Sequence, residues 1–398
     1  MNMKEDFFKY QSQTSPYPLA MEVSHAKGSY IYDTSGKAFL DFVAGVSANT
    51  LGHSHPQVVN AVKNQAEKYM HVMVYGEYVQ EPAVQFAKLL ANLLPDNLET
   101  TYLVNSGTEA IEGAIKLAKK ATGRTQMIAA KHAYHGNTQG AMSIMGYEPR
   151  KRDFRPLIPD VDFIEFNNEN DLQKITYKTA GVVLETIQGG AGFIEPKNNY
   201  LQKVKQRCEE VGALLILDEI QPGFGRTGQL FGFMNYGITP DILVMGKGMG
   251  GGMPVGAFTA SQKLMNELNT PKMGHITTFG GHPVIAAASL AVLNELATSN
   301  LMKQVLEKEQ LFRKLLVHPL IEEIRGKGLM LAPILKTDNI TNFVVEMAQK
   351  EGLILFWLLF EPKALRITPP LTITNEEIKK GCNIILKALD TYSDQIVN

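Results

Sequence analysis

Between residues 101 and 260 the chain repeats one pattern: a short, almost wholly apolar run, then a longer stretch with helical spacing. The apolar runs fall at 101–104, 126–130, 181–184, 213–217, 241–245 and 257–260. Most lack the polar alternation of a half-exposed strand, so both faces of the sheet they form must be covered. Helical stretches such as 109–120 and 200–211 lie between them. This alternation predicts an α/β body over 46–289, with a large, mainly parallel sheet and helices on each side.

The two ends of the chain read differently. Segments 29–32 and 38–41, with Gly36 between them, have a hairpin pattern, and a helical stretch at 284–296 leads to further strands near 329–334 and 353–360. Both ends, 1–45 and 290–398, are therefore expected to form one smaller α+β domain. The run 353–360 is too short to span a bilayer and reads as a buried strand containing Trp357, with a place in a pocket wall as the alternative. Residues 1–13 lack the apolar stretch of a signal peptide. A formal net charge of −1 gives no basic field to attract nucleic acid or an anionic membrane. Cys208 and Cys382 are too few for a disulfide framework, and no spacing marks a metal cluster, so a reducing cytoplasm is the simple reading.

Three short motifs carry possible chemistry. Ser106 and Glu109 have capping-box spacing after a strand, and Gly107 lets a ligand approach a helix start whose free N–H groups suit a phosphate. Alone, this pattern marks a well-capped helix before it marks a site. Asp218 and Glu219 end a buried strand, where open α/β sheets bind ligands. A structural Asp, satisfied by backbone N–H groups or by Arg226, is an equal reading. Lys247 ends another apolar strand and sits among glycines, and burial favours the neutral amine that attacks carbonyls. A lone lysine in such a turn is more often structural. A nucleotide loop fits poorly, because no Ser or Thr follows Lys247. Together the three occur in the order of a pyridoxal-phosphate site, in which the lysine holds the aldehyde and the aspartate pairs with the pyridine nitrogen.

At these residues the sequence resembles the class III aminotransferases of fold type I, over roughly 17–370. The resemblance rests on Leu51-Gly52-His53-Ser54-His55-Pro56, Asn105-Ser106-Gly107-Thr108-Glu109-Ala110, Tyr134-His135-Gly136 and Leu217-Asp218-Glu219-Ile220-Gln221. It continues in Gly225-Arg226-Thr227-Gly228, Gly246-Lys247-Gly248, Thr278 to Pro283 and Leu365 to Pro370. It implies pyridoxal phosphate bound as a Schiff base to Lys247, which then shuttles the proton at the substrate carbon. Asp218 would hold the pyridine nitrogen, Gln221 the ring hydroxyl, Gly107 and Thr108 the phosphate, and Tyr134 the ring face. Thr278 would reach the phosphate of a partner subunit, implying a homodimer with shared active sites. Arg366 would bind a substrate carboxylate. The implied reaction moves an amino group from an ornithine-like or ω-amino-acid-like donor to a 2-oxo acid such as 2-oxoglutarate.

Two positions depart from the family pattern. Asn137 stands where ornithine, acetylornithine and 4-aminobutyrate aminotransferases usually carry an arginine for a distal carboxylate. Gly190, in the segment beginning at Glu185, stands where they carry a glutamate that covers the equivalent of Arg366. The donor is therefore expected to differ from acetylornithine, unless Arg150, Arg152 or Arg155 replaces the lost cation. Decarboxylases, aminomutases, racemases and amine-phosphate lyases share the fold and remain alternatives. A regulatory protein with a dead site is disfavoured by the pairing of Lys247 with Asp218 and by the lack of a basic DNA-binding segment.

Overall fold

The computed structural model describes residues 3–73 and 76–397. Near the N-terminus, β1 (Val23–Lys27), β2 (Tyr30–Asp33) and β3 (Ala38–Asp41) form an antiparallel meander. Seven strands then build the main sheet: β4 (Thr100–Val104), β5 (Gln126–Ala130), β6 (Val161–Ile164), β7 (Thr179–Glu185), β8 (Leu214–Asp218), β9 (Ile242–Gly246) and β10 (Gly256–Ala260). Their order is β4-β10-β9-β8-β7-β5-β6. Neighbours from β9 to β6 are parallel, while β10 is antiparallel to both β9 and β4. β4 therefore points the same way as β9, and β10 alone runs against the rest.

Strict alternation along the central strands explains why both sheet faces are covered. Val183, Ile216 and Val244 face one core, shared with Ala110, Ile111, Ala114 and Ala118 of the helix Gly107–Thr122. Val182, Leu184, Leu215, Leu217, Leu243 and Met245 face the other, against Leu201 and Val204 of the helix Tyr200–Val211 and Val292 of the helix Pro283–Thr298. Burial of each such side chain contributes about 1.5–3 kcal/mol. The one strand the apolar pattern does not signal is β6. It lies on the sheet edge, carries Asp162 and buries only Ile164 fully, so it has no continuous apolar run to reveal it.

Leu353–Ile354 (β13) pairs in parallel with β3, so a C-terminal strand joins the N-terminal meander. The C-terminal part also holds β11 (Ile321–Lys327) paired with β12 (Met330–Leu335), and β14 (Phe356–Trp357) paired with β15 (Leu365–Arg366). The helix Pro283–Thr298 runs unbroken through residues 289 and 290. One expectation is corrected: 353–360 is not a single buried strand. After Leu355 the chain leaves β3, Phe356 and Trp357 join a different ladder, and Phe356 is 40% and Leu359 36% exposed. Among the described residues no single helix is long and apolar enough to cross a membrane.

Leu243 sits fully buried in the middle of β9, so Leu243→Ala should cost about 2–5 kcal/mol of stability by loss of transfer energy and formation of a cavity. Urea unfolding measures this, and a loss well below about 1 kcal/mol would show that the sheet relaxes around the site.

Candidate active site

Because β4, β5, β7, β8 and β9 share a direction, their carboxyl ends open on one edge of the sheet, where such folds bind ligands. A cavity of about 430 Å³ lies there. Its wall includes Gly107 and Thr108 beyond β4, Tyr134 to Asn137 beyond β5, Glu185 of β7, Asp218 of β8 and Lys247 just after β9.

At one end is the start of the helix Gly107–Thr122. Ser106 Oγ accepts the Glu109 N–H at 3.3 Å, as the capping spacing predicts. Glu109 reaches one residue further back than a reciprocal box requires, accepting the Asn105 backbone and side-chain N–H groups, each at 2.9 Å. The open N–H end of this helix favours an anion. Glu112 on its next turn fixes the loop opposite, accepting from Thr138 Oγ1 at 2.6 Å, Gly140 N at 2.7 Å and Ala141 N at 3.1 Å. Thr108 and Thr138 hydroxyls share a 2.7 Å hydrogen bond. Gly136, at φ +133°, permits this approach, since an added Cβ would fall on the Thr108 hydroxyl.

Asp218 lies at the centre, only 3% exposed. One oxygen accepts the Ile220 N–H at 3.0 Å, and the other is 2.7 Å from His135 Nδ1. Arg226, the alternative partner, is buried elsewhere and donates to the carbonyls of Leu329 and Pro369. Burial alone would lower the His135 pKa, but its hydrogen bond to Asp218 and the charges of Asp218 and Glu185 outweigh this and raise it. The imidazolium thereby shares the cost of burying the aspartate charge. Glu219 turns the other way, receiving Thr186 Oγ1, Gly232 N and Phe233 N, and is a structural carboxyl.

Lys247 sits at φ +43° where β9 ends. Desolvation depresses its amine pKa, with Arg366 adding repulsion, while Asp218 and Glu185 oppose the change. Arg366 on β15 is 4% exposed, and its Nε and Nη1 lack any partner among the described residues. Burial pushes its pKa down to about 10. A buried guanidinium with unmet donors is costly unless a ligand supplies the acceptor. Gln221, Asn137 and Gly190 also line the cavity.

Thr278 stands apart from the other sites read from the sequence: it is exposed and does not line this cavity. Arg150, Arg152 and Arg155 do not line it either. Sequence reasoning overlooked His135, Glu185, Val46, Phe356 and Leu359. His135 and Glu185 lay inside quoted motifs, so their strand-end placement was the available signal. Val46 enters the cavity through a run of left-handed residues, Ala44 to Ser47, which no local pattern announces.

The wall fits pyridoxal phosphate: a helix start whose open N–H groups suit an anion, a carboxyl hydrogen-bonded to an imidazole, an aromatic face at Tyr134 and a lysine with a depressed pKa. With the one-edged, mainly parallel sheet, these features define a pyridoxal-phosphate enzyme of fold type I. The chain belongs to the class-III aminotransferases, whose family model matches residues 10–389. It is 36% identical to the acetylornithine aminotransferase of Methanopyrus kandleri over 393 residues, covering 98% of this chain and 99% of that protein. It is 38% identical to the putrescine aminotransferase of Pectobacterium atrosepticum, covering 92% of this chain and 82% of that protein. The solved ornithine aminotransferase of Toxoplasma gondii superimposes with a TM-score of 0.91 at 29% identity, covering 99% and 97% of the two chains. The protein is therefore a pyridoxal-phosphate-dependent aminotransferase.

Glu185 makes the site sensitive to pH. Burial pushes its carboxyl from 4.5 to about 7, against the attraction of His135 and with the repulsion of Asp218. The unfolded chain releases this proton near 4.5 and the folded chain near 7, so between these values the native state binds more protons. The stabilisation is complete at the acidic end and is lost as pH rises through that window. In the cofactor-stripped protein, Glu185→Gln should flatten the decline of Tm across it. An unchanged slope in thermal melts would remove Glu185 as its source.

Proposed function

We propose that Lys247 is the cofactor-binding and proton-transferring lysine, and that the enzyme passes an amino group from a donor without a distal carboxylate to a 2-oxo acid. The observation that carries this reading is Arg366, whose buried Nε and Nη1 lack a hydrogen-bond partner among the described residues, in the same cavity as Lys247 and Asp218. Gly107 and Thr108 would hold the cofactor phosphate, Asp218 the pyridine nitrogen, Gln221 the ring hydroxyl and Tyr134 the ring face. Bound pyridoxal phosphate supplies an aldehyde for amines and a ring that withdraws electrons from the amine-bearing carbon. Lys247 Nζ, its pKa depressed by burial, would take the proton from that carbon and hold it for return. His135 keeps the Asp218 charge in place, and Arg366 orients the carboxylate of the 2-oxo acid, for which 2-oxoglutarate and pyruvate are the two test cases.

The cavity draws on both proposed domains, 46–289 and the joined chain ends, because Arg366, Phe356 and Trp357 come from the latter. We also propose that the enzyme works as a homodimer. Thr278 shares its exposed surface with Ile276 and Phe279, and the Phe279 ring lies 4.9 Å from His71. A second copy covering these apolar residues would carry Thr278 towards the partner's phosphate site. Cys208 and Cys382, both free and buried, agree with the cytoplasm as its compartment.

Lys247→Ala should abolish the visible absorption of the bound cofactor and lower turnover on the order of 10³-fold or more. A variant that kept both would overturn the assignment. Acetylornithine should be a poor donor, because Asn137 offers its distal carboxylate no cation. Steady-state assays decide this: turnover equal to the best donor of an amine panel would refute it, and Asn137→Arg should raise acetylornithine use.

A further inference from the structure

One wall of the cavity, built by the β14–β15 ladder and its neighbours, is hydrocarbon. In the β14–β15 ladder Phe356 lies directly opposite Arg366, so the two side chains stand on one side with their Cβ atoms about 5 Å apart. Trp357 directs its indole N–H to Asn342 Oδ1 at 2.7 Å, on the surface helix Asp338–Lys350, which leaves its ring carbons for the cavity. Leu359 and Val46 complete this wall.

Gly190 adds no side chain to this wall. The Phe360 N–H donates to Gly190 O at 2.9 Å, and its ring stacks on Tyr147 with centroids 4.4 Å apart. A Cβ at position 190 would come within 2.8 Å of the Phe360 ring. The aromatic stack therefore occupies the room that a larger side chain at 190 would need, and Arg366 stays uncovered.

The count of cations limits the ligand further. Among the described residues, the basic side chains lining the cavity are Lys247, His135 and Arg366. Lys247 and His135 serve the cofactor end, so one guanidinium is left for substrate. None of the nearby arginines lines the cavity: Arg155 is held by Glu148 at 2.8–3.0 Å, Arg152 pairs with Asp153 at 3.2 Å, and Arg150 lies over the Phe360 ring, 5.9 Å from its centre.

We infer that the cavity takes substrates with a single carboxylate and an apolar remainder. The acceptor is a short monocarboxylic 2-oxo acid, and the donor is an amine or α-amino acid with a hydrocarbon body. This rests on the reading of Arg366 given above. A second carboxylate would lose its water against Phe356, Trp357 and Leu359 with no cation to meet it. A distal ammonium would face the same wall, and the two lining carboxyls are already engaged, Glu185 by the Tyr134 and Gly189 N–H groups and Asp218 by His135.

The test uses the holoenzyme with matched pairs: pyruvate against 2-oxoglutarate, and 2-phenylethylamine against putrescine and acetylornithine. Pyruvate and 2-phenylethylamine should be favoured in kcat/KM on the order of tenfold or more. Calorimetric binding of two unreactive acids, 3-phenylpropionate and glutarate, reads the cavity without turnover, and 3-phenylpropionate should bind more tightly. Leu359→Arg should shift the acceptor preference towards 2-oxoglutarate, mainly through KM. Equal or better use of 2-oxoglutarate or putrescine, or equal binding of glutarate, overturns the inference. Tighter binding of 3-phenylpropionate without transfer to any 2-oxo acid would uphold the cavity reading and sink the transfer reaction instead.

Discussion

The common direction of the strands is the constraint on which the site depends. Parallel strands must all end on one edge, and the residues just past those ends are forced into one neighbourhood. Thr108, Tyr134, Glu185, Asp218 and Lys247 come from five different strand ends yet line one cavity. The two apolar cores on either face hold the strands at fixed spacing, so the edge is rigid where the chemistry occurs. β10 can run the other way because it contributes no residue to the cavity wall.

Burial at that edge creates the electrostatic problem that the site turns to use. Glu185 and Asp218 are neighbours in the β7–β8 register, so two carboxylates meet in a poorly solvated place. Burial raises the Glu185 pKa, while the 2.7 Å contact with His135 compensates Asp218. The same desolvation that pushes the lysine towards its neutral form leaves Arg366 with unmet donors. One physical cause therefore acts on the amine of Lys247 and the guanidinium of Arg366 together. The β14–β15 ladder, which brings Phe356, Trp357 and Arg366 to the cavity, comes instead from the C-terminal part of the chain.

Much of this was legible in the chain. Apolar runs located six of the seven main strands, and local spacing marked the cap at Ser106 and the helix Tyr200–Val211, because both depend on residues a few positions apart. Motif order then pointed to the cofactor and the family, and the structure brings Asp218 and Lys247 to one cavity.

What the tertiary structure decided involves residues far apart in sequence. His135 finds Asp218 across 83 positions, and no periodicity encodes that meeting. The run after Leu353 looked uniformly apolar, yet its neighbours divide it between two ladders and expose Phe356 to the cavity. Gly190 read as a missing glutamate, and only packing showed Phe360 filling its place. Thr278 lies on the surface, away from the cavity that its motif suggested. Sequence set the elements and the chemical groups because those follow from local pattern; their pairing, exposure and unmet valences follow from long-range packing, which only the fold fixes.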